Sequence, residues 1–252
     1  MTSLDVGGRR ALVTGGTRGL GHAMAEALLE HGSEVVVVGS GASAEAVAAA
    51  FRARGFACHG LAIDLADAAA RRAGFDRALD HLGGRLDILV NAAGVQRRHK
   101  SEDFPLDDWA AVLEVNLTAV FDLCQLAGRV MLQQGRGKIV NVASLLSFFG
   151  GMTVPAYAAS KGGIAQLTKA LANEWAARGL NVNALAPGYM ATEMNAALIA
   201  DPGRNAEISA RIPAHRWGTA ADMKGPLLFL ASSASDYVNG VTLPVDGGYL
   251  GR

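Results

Sequence analysis

Ala11-Leu-Val-Thr14-Gly15-Gly16-Thr17-Arg18-Gly19-Leu20-Gly21 is the stretch on which the fold turns. A short apolar run suited to a buried strand ends in a turn with four glycines. An Ala/Leu/Glu-rich segment, 20–30, follows and stops at Gly32. The order is strand, glycine-rich turn, helix. Glycine lets a backbone turn tightly and come close to a ligand, and the helix behind it presents a partly positive N-terminus. An anion is expected there, and at the first strand-to-helix junction of an α/β chain that anion is a dinucleotide pyrophosphate. The spacing is Gly-x-x-x-Gly-x-Gly preceded by Thr14, not the commoner Gly-x-Gly-x-x-Gly. Gly15, Thr17, Arg18, Gly19, Leu20 and Gly21 are the expected contacts.

The pattern continues outward. Residues 35–38 are four consecutive valines, as in a strand buried on both faces. Further strands are expected at 61–63, 86–90, 138–142, 182–185 and 241–245. Helices are expected at 44–54, 68–82, 108–133, 157–177 and 221–231, with a helical insertion at 189–211. There is no linker or low-complexity tract. The reading is a single α/β domain over 1–252, doubly wound around a parallel sheet.

The chain has 252 residues, half of them hydrophobic, with 31 glycines, enough for one large buried sheet with many tight turns. Lys+Arg and Asp+Glu both number 23, so the net charge is zero and neither nucleic acid nor an anionic membrane is expected as main partner. Cys58 and Cys124 form no Cys-x-x-Cys pair, which argues against zinc and fits reduced thiols in a cytoplasmic protein. The N-terminus carries no apolar signal core. No unbroken apolar run approaches the ~18–20 residues that span a bilayer.

Tyr157-Ala-Ala-Ser-Lys161, with Ser144 upstream, is the candidate chemistry. Residues four apart share a helix face. A phenol with a pKa near ~10 is a poor acid or base at neutral pH, and a fixed ammonium beside it is expected to lower that value. Such a pair donates and accepts a proton in carbonyl/alcohol chemistry. Alone the spacing is weak, and a core Tyr and a surface Lys would explain it.

Together these residues resemble the short-chain dehydrogenase/reductase family. The resemblance is carried by Thr14-Gly15-x-x-x-Gly19-x-Gly21, Asp64-Leu65, Asn91-Ala92-Ala93-Gly94, Asn116, Ser144, Tyr157-x-x-x-Lys161 and Pro187-Gly188, in family order over nearly the whole chain. Ala92 stands where the family more often has a second Asn. The resemblance implies seven parallel strands and metal-free hydride transfer between a nicotinamide and a carbonyl or alcohol. It makes Tyr157 the general acid/base. Lys161 then lowers its pKa and holds the nicotinamide ribose. Ser144 bonds the substrate oxygen, and Asn116 positions a water that relays protons. Further cofactor contacts are expected at Ser40, Asp64, Leu65, Asn91, Ala92, Gly94, Tyr157, Lys161, Pro187, Gly188, Met190 and Thr192.

The second strand exits as Val38-Gly39-Ser40, with no acidic residue before Glu45 to repel a 2′-phosphate. Arg18 and Ser40 lean the cofactor towards NADP(H), although a solvated loop cation explains Arg18 nearly as well. The C-terminal half, with Ala172-Asn-Glu-Trp175 and Arg211-Ile-Pro-Ala-His-Arg-Trp-Gly218, resembles a sugar-acid branch acting on 2-dehydro-3-deoxy-D-gluconate or 2-deoxy-D-gluconate. That branch is usually linked to NAD, so the cofactor stays open as NAD(P). Arg97 and Arg98 follow the fourth strand, where a guanidinium can grip a carboxylate, although two solvated loop arginines explain them about as well. With Ser144, Tyr157 and Tyr189 they are the expected substrate contacts. The resemblance places Met152, Tyr189, Met190 and Met194 where the family's substrate loop closes, and for the methionines apolar packing of that loop is the favoured reading. The competing functions are a 3-oxoacyl thioester reductase and a non-catalytic NADP(H) sensor. The resemblance also implies a homotetramer.

Overall fold

The computed structural model describes residues 4–252, apart from the side chains at 194 and 197. Seven strands form one sheet in the order β3-β2-β1-β4-β5-β6-β7. They are β1 (Arg10–Thr14), β2 (Glu34–Gly39), β3 (Cys58–Ala62), β4 (Ile88–Asn91), β5 (Gly137–Val142), β6 (Leu180–Pro187) and β7 (Thr242–Val245). Every pairing is parallel. From β1 the chain runs outward through β2 and β3, then crosses back to β4 and runs the other way. Thr14 is in register with Asn91 across that reversal. The crevice outside the carboxyl ends of β1 and β4 is therefore the ligand position the topology dictates.

Strand residues alternate between two cores, as a two-residue period requires. Leu12, Val36, Leu89 and Ile139 face one side with Phe75, Leu123 and Met131. Val13, Val37, Val90 and Val140 face the other with Met24, Leu28, Phe51 and Leu227. The first layer holds α3 (Ala68–His81), α5 (Ala119–Gln134) and α6 (Pro155–Trp175). The second holds α1 (Gly19–Glu30), α2 (Ser43–Ala53) and α9 (Lys224–Ala231). Pro244 is tolerated because β7 is an edge strand.

Two expectations change. The helix expected over 108–133 begins earlier, as α4 (Leu106–Leu113), and is broken by a π-helical turn, Glu114–Thr118, before α5. One extra residue in a turn leaves the apolar pattern readable as a single helix, so the sequence does not show it. Such turns gather at functional sites, and this one carries Asn116. The helix expected over 221–231 is a 3-10 turn, Ala220–Met223, followed by α9. The insertion after β6 is a 3-10 turn, Glu193–Asn195, with α7 (Ala196–Ala200) and α8 (Pro202–Arg211).

Leu106–Gln134 is the one helix among the described residues long and apolar enough to cross a membrane. Its inward face, Leu123, Cys124, Ala127 and Met131, packs on the sheet, and Asn116 and Asp122 are buried within it. This is the packing of a core helix.

Candidate active site

The turn after β1 is built by close approach. Gly15 and Gly19 have φ of +65° and +56°. A Cβ at Gly15 would lie 2.8 Å from the backbone of Ala93, and one at Gly21 would lie 2.2 Å from the Gly15 carbonyl oxygen. A Cβ at Gly19 would meet nothing within 4 Å. Thr14 Oγ1 accepts from the backbone N–H groups of Ala92 at 3.2 Å and Ala93 at 3.3 Å, locking the ends of β1 and β4 together. No side chain caps α1, so its first N–H groups face the crevice without a side-chain acceptor. The Thr17 methyl sits where a Cβ at Gly39 would be, at 2.7 Å, so the exit of β2 has no room for a side chain at 39. Ser40 is exposed beside it.

Arg18 reaches across the crevice to Glu193, with Nη1 and Oε2 3.2 Å apart and both side chains 81% exposed. In the loop after β3, Asp64 accepts from the Ala66 N–H at 2.9 Å. The Leu65 carbonyl accepts from Arg71, whose guanidinium also bonds Asp122 and Glu114, each at 2.9 Å. Arg71 is 2% exposed. This buried hub ties the Asp64-Leu65 loop to the π turn, and none of its charged members, Arg71, Glu114 and Asp122, is signalled by a motif.

Tyr157 and Lys161 lie on the first turns of α6, on one face, and Ser144 lies just beyond β5. Lys161 is buried and donates to the Val142 carbonyl at 2.6 Å. Its nitrogen is 5.7 Å from the centre of the Tyr157 ring and makes no hydrogen bond to the phenol among the described residues. Burial lowers the Lys161 ammonium to about 8. The phenol of Tyr157 is moved up by burial, with the Ser144 hydroxyl, hydrogen-bonded to it, offsetting part. The depression expected from Lys161 is therefore absent in the free protein: desolvation raises the phenol, and Ser144 alone works against it.

Lys161 has a consequence for stability. The unfolded chain holds this proton up to about 10.5 and the folded chain releases it near 8. The unfolded state binds more protons in that window, so this group makes stability rise with pH from about 8 to 10.5. Denaturant midpoints of the wild type should climb relative to Lys161→Met across that window. A difference that is flat or falls would contradict the assignment.

Asn116 is fully buried and clamps the loop after β4: its Oδ1 accepts from the Val95 N–H at 2.8 Å and its Nδ2 donates to the Val95 carbonyl at 2.9 Å. Nδ2 also donates to Ser160 Oγ at 3.2 Å. Both amide protons are thus engaged in holding the wall, so the water expected from the resemblance would be held by an acceptor of Asn116 and not by its amide protons. Gly94 lies against this group: a Cβ there would be 3.4 Å from Asn116 Oδ1 and 3.9 Å from Lys161 Nζ.

The remaining expected contacts lie in varied surroundings. The Asn91 amide is buried in the sheet, donating to Asn141 Oδ1 at 2.9 Å and Cys124 Sγ at 3.3 Å. Met190 is buried in the second core and pairs by backbone with Gly218, so only its main chain remains for a cofactor. Pro187 and Gly188 follow at the end of β6, and a Cβ at Gly188 would lie 2.7 Å from Asp246 Cα. Thr192 caps no helix with its side chain. Arg97 is paired with Asp108 at 3.4 Å, and Arg98 donates to the Gln96 side chain at 3.3 Å. Tyr189 joins an aromatic wall with Trp217 and Tyr249, at centroid distances of 5.5 and 5.3 Å. Tyr249 packs with Leu145, the neighbour of Ser144. Its place at the far end of the chain hid it from sequence reading. Met152 is exposed, and the Met194 side chain lies outside the described residues.

A dinucleotide crevice edged by a Ser, Tyr and Lys set defines an oxidoreductase of the doubly wound class. Comparison with known proteins sharpens this. A short chain dehydrogenase family model matches residues 9–203. The 2-dehydro-3-deoxy-D-gluconate 5-dehydrogenase of Bacillus subtilis (strain 168) is 48% identical over 246 residues, 97% of this chain and 96% of that protein. Its counterpart in Escherichia coli (strain K12) is 46% identical over 253 residues, covering 100% and 99%. The crystal structure of a gluconate 5-dehydrogenase from Burkholderia cenocepacia J2315, in complex with NADP and tartrate, superposes with a TM-score of 0.95 at 42% identity, covering 99% of this chain and 98% of that one. The chain belongs to the short-chain dehydrogenase family and is an NAD(P)-dependent oxidoreductase.

Proposed function

We propose that this protein interconverts a secondary alcohol and a ketone on a small sugar acid of the 2-dehydro-3-deoxy-D-gluconate or gluconate type, with Tyr157 as general acid/base. The observation that carries the reading is the convergence of Ser144, Tyr157 and Lys161 beside Gly94 at the mouth of the crevice. The names of relatives at 45–48% identity support the substrate class.

The residues present fit a nicotinamide dinucleotide. Gly19 leaves open space at the turn, and α1 presents uncapped N–H groups to a pyrophosphate. Asp64 and Leu65 border the adenine side, and Lys161 would hold the nicotinamide ribose. When bound, the cofactor supplies or takes up the hydride. Tyr157 donates its phenolic proton to the ketone oxygen in reduction and accepts the alcohol proton in oxidation. Ser144 donates a hydrogen bond to the same oxygen, stabilising charge that develops there. Because burial keeps the phenol protonated in the free protein, it is set as an acid at neutral pH, and oxidation gains as pH rises.

The exit of β2 leans the cofactor towards NADP(H). Gly39 and Ser40 offer no carboxylate, and the exposed Arg18–Glu193 pair is worth only ~0–1 kcal/mol, so Arg18 is readily released to a 2′-phosphate. Solvent-facing Leu106 and Phe121 on the α4–α5 helix suit burial against a second copy, in keeping with a cytoplasmic homotetramer. A monomer by light scattering at micromolar concentration would remove that part. The catalytic reading is tested by following reduced-nicotinamide absorbance during oxidation of 2-deoxy-D-gluconate and D-gluconate, with NAD and NADP in parallel. Turnover with a preference for NADP is expected. Binding of cofactor without turnover of any sugar acid would point instead to a sensor.

A further inference from the structure

We propose that Ser147 is a positioning residue for the reaction: its hydroxyl fixes Ser144 against the backbone of Lys161 and so aims the Ser144 proton at the reacting oxygens. This rests on the catalytic reading given above. Ser147 Oγ donates to the Lys161 carbonyl at 2.6 Å and accepts from the Ser144 N–H at 3.3 Å. A hydroxyl carries one proton. The proton of Ser147 is committed to Lys161, so towards Ser144 it acts only as acceptor. Ser144 Oγ in turn accepts from the Leu146 N–H at 3.2 Å. That fills the back of the Ser144 hydroxyl and leaves its own proton for the Tyr157 phenol and the substrate oxygen.

The arrangement joins two separate pieces of the site. Ser144 stands just beyond β5 and Lys161 on α6, one turn beyond Tyr157 on the same face. The Ser147 bond spans 14 residues of sequence and sets the distance between them. A plain capping box would involve only the 3-10 turn it caps, Leu145–Ser147. Here the capping side chain also holds the backbone of a site residue. Ser147 touches no reacting atom, since both of its bonds go to backbone.

The test compares wild type, Ser147→Ala, Ser147→Thr and Tyr157→Phe in sugar-acid oxidation. A misplaced reacting group costs about 10–100-fold in rate, and that loss of kcat is expected for Ser147→Ala, with the KM for cofactor unchanged within ~2-fold. The alkaline rise of kcat should move to higher pH, because the phenol loses part of what Ser144 offsets. Ser147→Thr keeps the hydroxyl and should restore most of kcat. Should Ser147→Ala not fold, Ser147→Cys, a weak donor, carries the same expectation. Wild-type kcat and pH profile in Ser147→Ala, with only a lowered melting temperature, would reduce Ser147 to a cap and overturn the proposal. If Tyr157→Phe stays active, the catalytic reading falls and the proposal with it. If Tyr157→Phe is inactive and Ser147→Ala is not, the proposal alone fails.

Discussion

Replacing Tyr157 with Phe should lower kcat by about 10²–10⁴-fold, the usual contribution of a placed general acid or base, while cofactor affinity stays within ~2-fold. The reason lies in the arrangement of the site. The ring contributes shape and packing on α6, which Phe keeps, and Lys161 stays bonded to the Val142 carbonyl independently of the phenol. What is removed is the one group that Ser144 bonds and that can exchange a proton with the substrate oxygen. Melting temperature should change little. Steady-state kinetics with fluorescence titration of cofactor separate these effects. Residual kcat within tenfold of the wild type would mean that Ser144 or water supplies the proton.

Arg71→Met should have the largest effect on stability, about 3–5 kcal/mol, the range for removing one partner of a buried ion pair. Arg71 is 2% exposed and Asp122 is 6% exposed, so the carboxylate would be left in the core. Arg72 reaches Asp122 only at 3.4 Å from a largely solvated position and replaces little of this. The same guanidinium holds the Leu65 carbonyl and Glu114, the first residue of the π turn. Cofactor affinity should therefore fall along with stability, since both the adenine-side loop and the Asn116 turn lose their tie. Urea unfolding at fixed protein concentration, read through the midpoint at unchanged slope, measures the first effect. A loss under ~1 kcal/mol would show that the network contributes specificity more than stability.

The fold was legible because its signals are local. Thr14 to Gly21 fixes a strand-turn-helix junction, and the run 35–38 marks a strand buried on both faces. The Tyr157, Lys161 and Ser144 set was legible because helical spacing and family order are both written in one dimension. Other features come from contacts distant in sequence. Arg71 looks like any helix cation beside Arg72, and its burial is decided by Asp122, 51 residues away. Arg97 read as a free guanidinium until the fold brought Asp108 to it. The π turn escapes because it adds a residue without disturbing the apolar stripe. Met190 follows from the resemblance as a cofactor contact, whereas its side chain is buried in the second core beneath Gly218, a placement set by a strand-like pairing 28 residues away. The direction of the Tyr157 shift also lay outside the sequence, since it depends on how deeply both partners are desolvated.

The most direct test of the central claim is the ratio of kcat/KM for oxidation of 2-dehydro-3-deoxy-D-gluconate, with the oxidised form of the preferred nicotinamide cofactor, to that for reduction of an acetoacetyl thioester with its reduced form, both measured on the purified protein. The sugar-acid reading predicts a ratio well above one, by at least the ~10²-fold that a few matched hydrogen bonds provide. A ratio below one would move the protein to the acyl-thioester reductases and contradict the substrate assignment.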